Sequence, residues 1–204
     1  MALDYPNVKG LVIGTRPDCM DEAKLDYLQE LSQRIYIQLE YGVESCYDET
    51  LLRINRGHDF RTSEDMIRKT HERGIRTGVH MIMGLPGESM EMMLNEAAIL
   101  SVLPIDSVKF HQLQIVSGTR MEKEYLEHPD EFHTFSLHGY IDFIIRFIEL
   151  LNPGIVIERF SGEVPPRLLH HSSWELIRYD AVLRLIEAEL ERRNTWQGKK
   201  FMKA

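Results

Sequence analysis

Three segments of this sequence carry, at every second position, side chains that can do chemistry. In Arg34–Glu40 (RIYIQLE), Ile35, Ile37 and Leu39 face one way and Tyr36, Gln38 and Glu40 the other. Such alternation turns the apolar set toward packing helices and leaves the polar set to line a wet or functional interior. In Arg76–Met83 the same rule separates Val79, Met81 and Met83 from Gly78, His80, Ile82 and Gly84. In Ser107–Val116, Lys109 and His111 share one face and Phe110, Gln112 and Gln114 the other, and the pattern leaves open which face looks inward. A carboxylate and two imidazoles can do acid–base work, although a single histidine is more often a hydrogen-bonded core residue. Glu40 has an equally plain structural reading, as a partner of Arg56 or Arg16. The stretch HMIMGLPGES, His80–Ser89, ends abruptly in Gly84-Leu85-Pro86-Gly87. Two glycines and Ile82 make a thin apolar wall that a flat ring could approach closely, while the Pro86-Gly87 turn alone is an ordinary βα loop.

The elements that must position these residues alternate strand with helix. Val8–Thr15 (VKGLVIGT) reads as a strand. Glu22–Ser32 reads as a helix capped by Asp18 or Asp21, with Ala23, Leu25, Leu28 and Leu31 at near-helical spacing. Arg34–Glu40 is the second strand. Thr62–Arg73 is a helix capped by Thr62 or Ser63 and stopped at Gly74. Arg76–Met83 is the third strand, Ser89–Leu103 a helix, and Ser107–Val116 the fourth strand. Strands and helices joined by short loops mean parallel βαβ units, and ligands bind at the carboxyl ends of such strands. After Thr119 the rhythm changes: a short helix Met121–Glu127, a long apolar helix His138–Leu151, a fifth strand Ile155–Phe160 and a last helix Trp174–Arg193. The division is therefore residues 1–120 as four βα units and 121–204 as a mostly helical C-terminal extension with a short strand. No flexible linker separates them, and one compact body is expected. The basic tail Gln197–Ala204 is expected to fray.

The chain has 204 residues and a formal net charge of −8, enough for a sizeable core and unlike a surface given over to nucleic acid. No apolar run approaches the ~20 residues of a membrane span, and the start lacks a signal-peptide pattern. The two cysteines, Cys19 and Cys46, suggest thiols in a reducing cytoplasm and cannot form a cysteine-rich metal site. His170-His171 lacks a third ligand at a matching spacing. There is no glycine-rich phosphate loop and no G-x-S-x-G element.

Six strings, in order, resemble the radical S-adenosylmethionine (radical SAM) superfamily, in the branch of the elongator-type enzymes and oxygen-independent coproporphyrinogen oxidase, and within it the YhcC-type proteins. They are GLVIGTRPDC, LEYGVES, LLRINRGHDF, RGIRTGVHMIMGLPGES, VKFHQLQIVSGT and ERFSGEVPP. The resemblance implies an α/β fold, a partial (βα) TIM-type barrel. S-adenosylmethionine would lie across the strand tops, and a [4Fe-4S] cluster would split it to a 5′-deoxyadenosyl radical. It implies cofactor contacts from Glu40, from Ser45 or its neighbour Glu44, and from Arg56, whose fork suits the methionine carboxylate. Ile82, Gly84, Pro86 and Gly87 would pack on adenine, with Gln114 to Val116 at its other face or edge. His80 joins this set, and Thr15, Arg16 and His111 are candidates for meeting substrate.

The family's CxxxCxxC cluster loop has no counterpart here, so the cluster ligands are expected to lie outside this chain. The first strand resembles the family's third. The expectation is a C-terminal fragment lacking two βα units, silent by itself, with Met1-Ala2-Leu3 a truncated or engineered start. Val8–Thr15 then becomes an exposed edge; either copies of the chain are expected to associate through it, or Val8–Arg16 is expected to be markedly mobile. The alternatives are a cluster-less barrel acting as a binding or scaffold protein, and a nucleotide-binding α/β enzyme that would need the missing phosphate loop. The substrate is not legible; RNA, through the basic tail, and protein both remain open, and no membrane partner is expected.

Overall fold

The strand–helix rhythm closes into one curved layer. The computed structural model describes residues 5, 7–170, 174 and 177–203; His171 and the start at Met1-Ala2-Leu3 lie outside them. Strands β1 (Gly10–Thr15), β2 (Tyr36–Glu44), β3 (Arg76–Met83), β4 (Ser107–Gln112) and β5 (Val156–Arg159) lie in the order β1-β2-β3-β4-β5, every neighbouring pair parallel. Successive parallel strands need crossovers, supplied by α1 (Glu22–Ser32), α2 (Asp48–Arg53) with α3 (Phe60–Glu72), α4 (Met90–Ser101), and α5 (Arg120–Glu127) with α6 (Leu137–Leu150). The last helix, α7 (Tyr179–Arg193), packs on α6.

The core lies between sheet and helices. Ile37, Leu39, Tyr41 and Val43 of β2, Val79, Met81 and Met83 of β3, and Val108 and Phe110 of β4 are buried there with Leu25, Ile67, Met93, Leu100, Ile144 and Phe147. The opposite face of the sheet therefore carries Gln38, Glu40, His80, Ile82, Lys109 and His111. This answers which face of β4 looks inward: Lys109 bonds Glu40, and the His111 ring stacks 5.6 Å from that of His80.

Local signals set most helix starts. Asp21 caps α1 by accepting from Lys24 N–H at 2.9 Å, and Ser89 caps α4 through Met92 N–H at 3.2 Å. Each such cap contributes about 1 kcal/mol. Several boundaries differ from expectation. Asp59, not Thr62 or Ser63, caps α3, because its carboxylate reaches both Thr62 N–H and Thr62 Oγ–H. The helix α2 was not legible in its six residues. β4 stops at Gln112, so Gln114 and Val116 lie beyond the strand; Val116 instead pairs with Leu169 in an isolated antiparallel bridge. The last helix begins at Tyr179 rather than Trp174. The basic tail does not fray. Gly198 N–H and Lys200 N–H donate to the Ile148 and Glu149 carbonyls, and Gln197 Nε2 donates to those of Asn152 and Ile155. These bonds satisfy carbonyls at and beyond the end of α6, and the Lys200 ammonium also pairs with the Glu149 carboxylate. No helix among the described residues is long and apolar enough to cross a membrane.

Candidate functional site

The inner face is a ladder of polar side chains supplied one per strand level. In the middle of β2, Glu40 is 7% exposed and accepts from His80 Nε2 (3.0 Å) and from the Lys109 ammonium. Lys109 also lies 3.3 Å from Glu158, and Gln38 joins Glu158 (3.0 Å) to Ser107 (3.3 Å). Glu40 thus pairs with neither Arg56 nor Arg16. Burial opposes its charge, but Lys109 and His80 outweigh burial and hold its carboxyl below the usual value. Burial pushes the His111 imidazole down to about 4, with His80, Arg159 and Lys109 adding repulsion, so at neutral pH His111 is uncharged.

Glu40 does not stand on the rim. β2 continues four residues past it, to Glu44, so Glu40 sits halfway down the inner face while Arg56 and Gly84–Gly87 sit at the carboxyl ends. The rim residue of β2 is Glu44, held at φ +70° beside a shift in register with β3. Arg56 folds back over this exit. Its Nε (3.2 Å) and Nη2 (2.6 Å) donate to the Gly42 carbonyl, and Nη2 lies 3.2 Å from Glu44. A Cβ at Gly42 would meet Arg56 Nη2 at 2.3 Å and push the tip of that side chain away from the Gly42 carbonyl. Burial raises the Glu44 carboxyl, and Arg56 and His80 offset it in part.

The remaining candidates divide. His80 and Ile82 face the interior, half-buried, on the carboxyl half of β3, and His80 lies near Glu44, which pairs with Arg56. Ser45 turns the other way: it is fully buried, and its hydroxyl donates to Glu88, so of the pair Ser45 and Glu44 it is Glu44 that faces the interior. Thr15 pairs in register with Tyr41, on the helix-facing side, and its hydroxyl bonds the Arg16 carbonyl. Arg16 is exposed at the rim and paired with Asp18. The patch at Gly84 is not bare: a Cβ there would meet the His133 carbonyl at 2.6 Å, and Gly87 N–H donates to the Glu131 carbonyl at 2.9 Å. Arg53 pairs with Glu124 and Glu131 and holds this strap over the turn, while Pro86 is buried beneath it. Gln114 lines two adjoining cavities of about 350 and 520 Å³ at the carboxyl end of β4, both walled by Trp174 and Leu169, the smaller also by Phe135. The sequence reading missed Lys109 as the partner of Glu40, and it missed Glu158, Glu88 and Glu96. For Lys109 the signal was its shared face with His111; for the others there was none.

The residues present fit the nucleoside and amino-acid parts of S-adenosylmethionine. Ile82 offers an apolar surface, Glu44 a half-buried carboxylate for a cationic group, and Arg56 a guanidinium that is engaged through Nε and Nη2, with no bond from Nη1 among the described residues. Nothing here fits a cluster. Cys19 is exposed and Cys46 buried, and no group of three or more acidic, histidine or cysteine residues among those described is arranged to hold a metal.

Comparison with known proteins gives the family of the chain. Residues 2–98 match the family model of the radical SAM superfamily, and residues 105–192 match that of the radical SAM C-terminal domain. The uncharacterized protein MJ0486 of Methanocaldococcus jannaschii is 39% identical over 204 residues, covering 99% of this chain and 62% of the relative. Protein YhcC of Escherichia coli K12 is 32% identical over 198 residues, covering 97% and 58%. The chain thus spans about three fifths of the length of these relatives. In fold it is similar to the archaeal Methanocaldococcus infernus Elp3 with an N-terminal deletion, at TM-score 0.79 and 20% identity, covering 92% of this chain and 43% of that one. The five parallel strands with their helices are an α/β fold of the radical SAM barrel type, and the chain belongs to the radical SAM superfamily, in the branch of its YhcC- and elongator-type members.

Proposed function

We propose that this chain forms the carboxyl-terminal part of a radical SAM enzyme and binds S-adenosylmethionine on the rim formed by Glu44, Arg56, His80 and Ile82. The observation that carries the reading is the gathering of these four residues at one end of the inner face, in a chain matched along both halves by radical SAM families. When bound with its [4Fe-4S] cluster, the cofactor supplies a 5′-deoxyadenosyl radical. The chain's own residues hold and orient it. Arg56 fixes the β2 exit and has one nitrogen left for a carboxylate. Glu44 faces the cationic end, and Ile82 excludes water beside the adenosine. Glu40, lower down, orients His80 through a 3.0 Å bond rather than touching the cofactor. The cluster ligands belong to residues outside this chain.

Calorimetric titration of the chain with S-adenosylmethionine tests the rim. Native chain should bind, and Ile82→Asp should lose about tenfold or more in affinity, since one buried aliphatic side chain contributes ~1.5–3 kcal/mol. Equal affinity in both would remove this rim from the cofactor. Anaerobic reconstitution of a longer protein containing this chain should release 5′-deoxyadenosine, detected by mass spectrometry. A longer protein that binds no cluster would favour a binding or scaffold role for the barrel.

A further inference from the structure

The exit of β2 is held from two sides. On the inner side Arg56 grips the Gly42 carbonyl and Glu44. On the outer side two glutamates reach the next residues: the Ser45 hydroxyl donates to Glu88 Oε1, and Cys46 N–H donates to Glu96 Oε1 at 2.8 Å. Glu96 is fully buried and Glu88 is 4% exposed. The second oxygen of each carboxyl, Oε2, is also buried and meets no hydrogen-bond partner among the described residues.

The groups facing this pair are Ser45, Cys46 and Tyr47 from the β2 exit and Thr50 from α2. Burial first, and the glutamates second, raise the Cys46 thiol and the Tyr47 phenol. No lysine, arginine or histidine among the described residues pairs with either glutamate. Arg53, the cation beside Gly87, is engaged by Glu124 and Glu131. Two bare carboxylates in such surroundings would each lose their hydration and repel one another. A proton held by the pair relieves both costs, because a protonated carboxyl carries no charge and gains a donor. Burial raises both carboxyls, and the charge of Glu88 adds to the effect on Glu96.

We propose that Glu88 and Glu96 form a proton-sharing carboxyl pair and act as positioning residues that fix the β2 exit bearing Glu44 and Arg56. Glu44 holds a left-handed backbone, a conformation that persists in a non-glycine residue only when its surroundings impose it. The proposed cofactor rim gives the pair its meaning, but the decisive measurements do not use the cofactor.

Infrared spectra of the chain labelled with 13C-glutamate at about pH 8, well above the ordinary carboxyl range, should show a protonated carboxyl stretch. That band should vanish in Glu96→Gln and shift in frequency in Glu88→Gln, which removes the neighbour that shares the proton. Hydrogen exchange at the Cys46 amide supplies the positional readout. Glu96→Ala should speed it about tenfold, the loss of one hydrogen bond to a buried group, and Glu96→Gln should restore most of the protection by keeping an oxygen acceptor. In the native chain this protection should also fall as the pair gives up its proton on raising the pH, and Glu96→Gln should abolish that dependence. A glutamate with a packing role alone would lose protection in the alanine variant with no pH dependence in the native chain, which overturns the proposal. If the variants fail to fold, the native spectrum decides: absence of a protonated carboxyl at that pH is equally fatal. Loss of S-adenosylmethionine binding by the native chain, with the carboxyl band intact, counts against the cofactor rim and not against the pair.

Discussion

Glu40 and Lys109 balance the charge of the inner face, and single substitutions there have opposite weights. Lys109→Met leaves Glu40 and Glu158 without their shared cation in a largely buried site, and should lower unfolding stability by about 3 kcal/mol in a denaturant titration. Glu40→Gln keeps an acceptor for His80 and should cost less; an equal loss in both would mean that shape, not charge, sets the cost. The folded-state value of Glu40 lies below its unfolded one, so its contribution is present above the ordinary carboxyl value and is lost as pH falls through the folded value. Glu96 runs the other way. Its raised value makes the folded chain the better proton acceptor, so its contribution weakens as pH rises from the ordinary carboxyl value toward the folded one. At Arg56, alanine removes the bond to Gly42 and leaves Glu44 half-buried without its cation. Both the melting temperature and S-adenosylmethionine affinity should fall. Arg56→Lys should recover only part of either, since an ammonium lacks the fork. An unchanged affinity with a lowered melting temperature would make Arg56 a holder of the loop alone.

Among the elements, β1 and the four-residue β5 are the two edge strands of the sheet, and β1 is the longer. It pairs with β2 on one side and with no described strand on the other, and its inner face reads Gly10, Val12, Gly14, with Val12 57% exposed. An edge of unpaired N–H and C=O groups invites another strand. The chain should therefore self-associate, and Val12→Lys, which places a charge on that edge, should shift sedimentation toward monomer. A native chain that sediments as a monomer at all concentrations would remove the edge as an interface. The strap from Arg120 to Phe135 is a second element with a sharp test. Gly84→Ala would put a methyl group at 2.6 Å from the His133 carbonyl at φ +90°, and should cost about 1–3 kcal/mol in unfolding stability. Retained stability would show that the strap shifts freely.

At the scale of the molecule, the proposed rim would supply one side of a cofactor site, while the two cysteines lie apart in exposure, Cys19 exposed and Cys46 buried. Two cysteines, one buried with its thiol raised well above the ordinary range, do not gather iron. The chain reconstituted with iron and sulfide should stay colourless, and an iron–sulfur absorption band would contradict this division of labour. Much of the architecture could be read from sequence because it is locally encoded. Period-two alternation in β2 and β3 fixed which residues meet the helices. Asp21 and Ser89 cap helices three residues away, and Gly74 ends α3 in the left-handed conformation that glycine accepts readily. The family strings added the barrel and the expectation of its ligand. What only the tertiary structure decided are contacts between distant residues. Glu40 chose Lys109, 69 positions away, over Arg56; Ser45 turned outward to Glu88, 43 positions away; the strap closed over Gly84; and the basic tail docked on the end of α6. Spacing within one strand gives the direction of a side chain, but not which charge or carbonyl the fold will bring against it. The length of β2 also escaped local reading, because Tyr41-Gly42-Val43-Glu44 joins the sheet through its pairing with β3, and that pairing lowers Glu40 from the rim to the middle of the inner face.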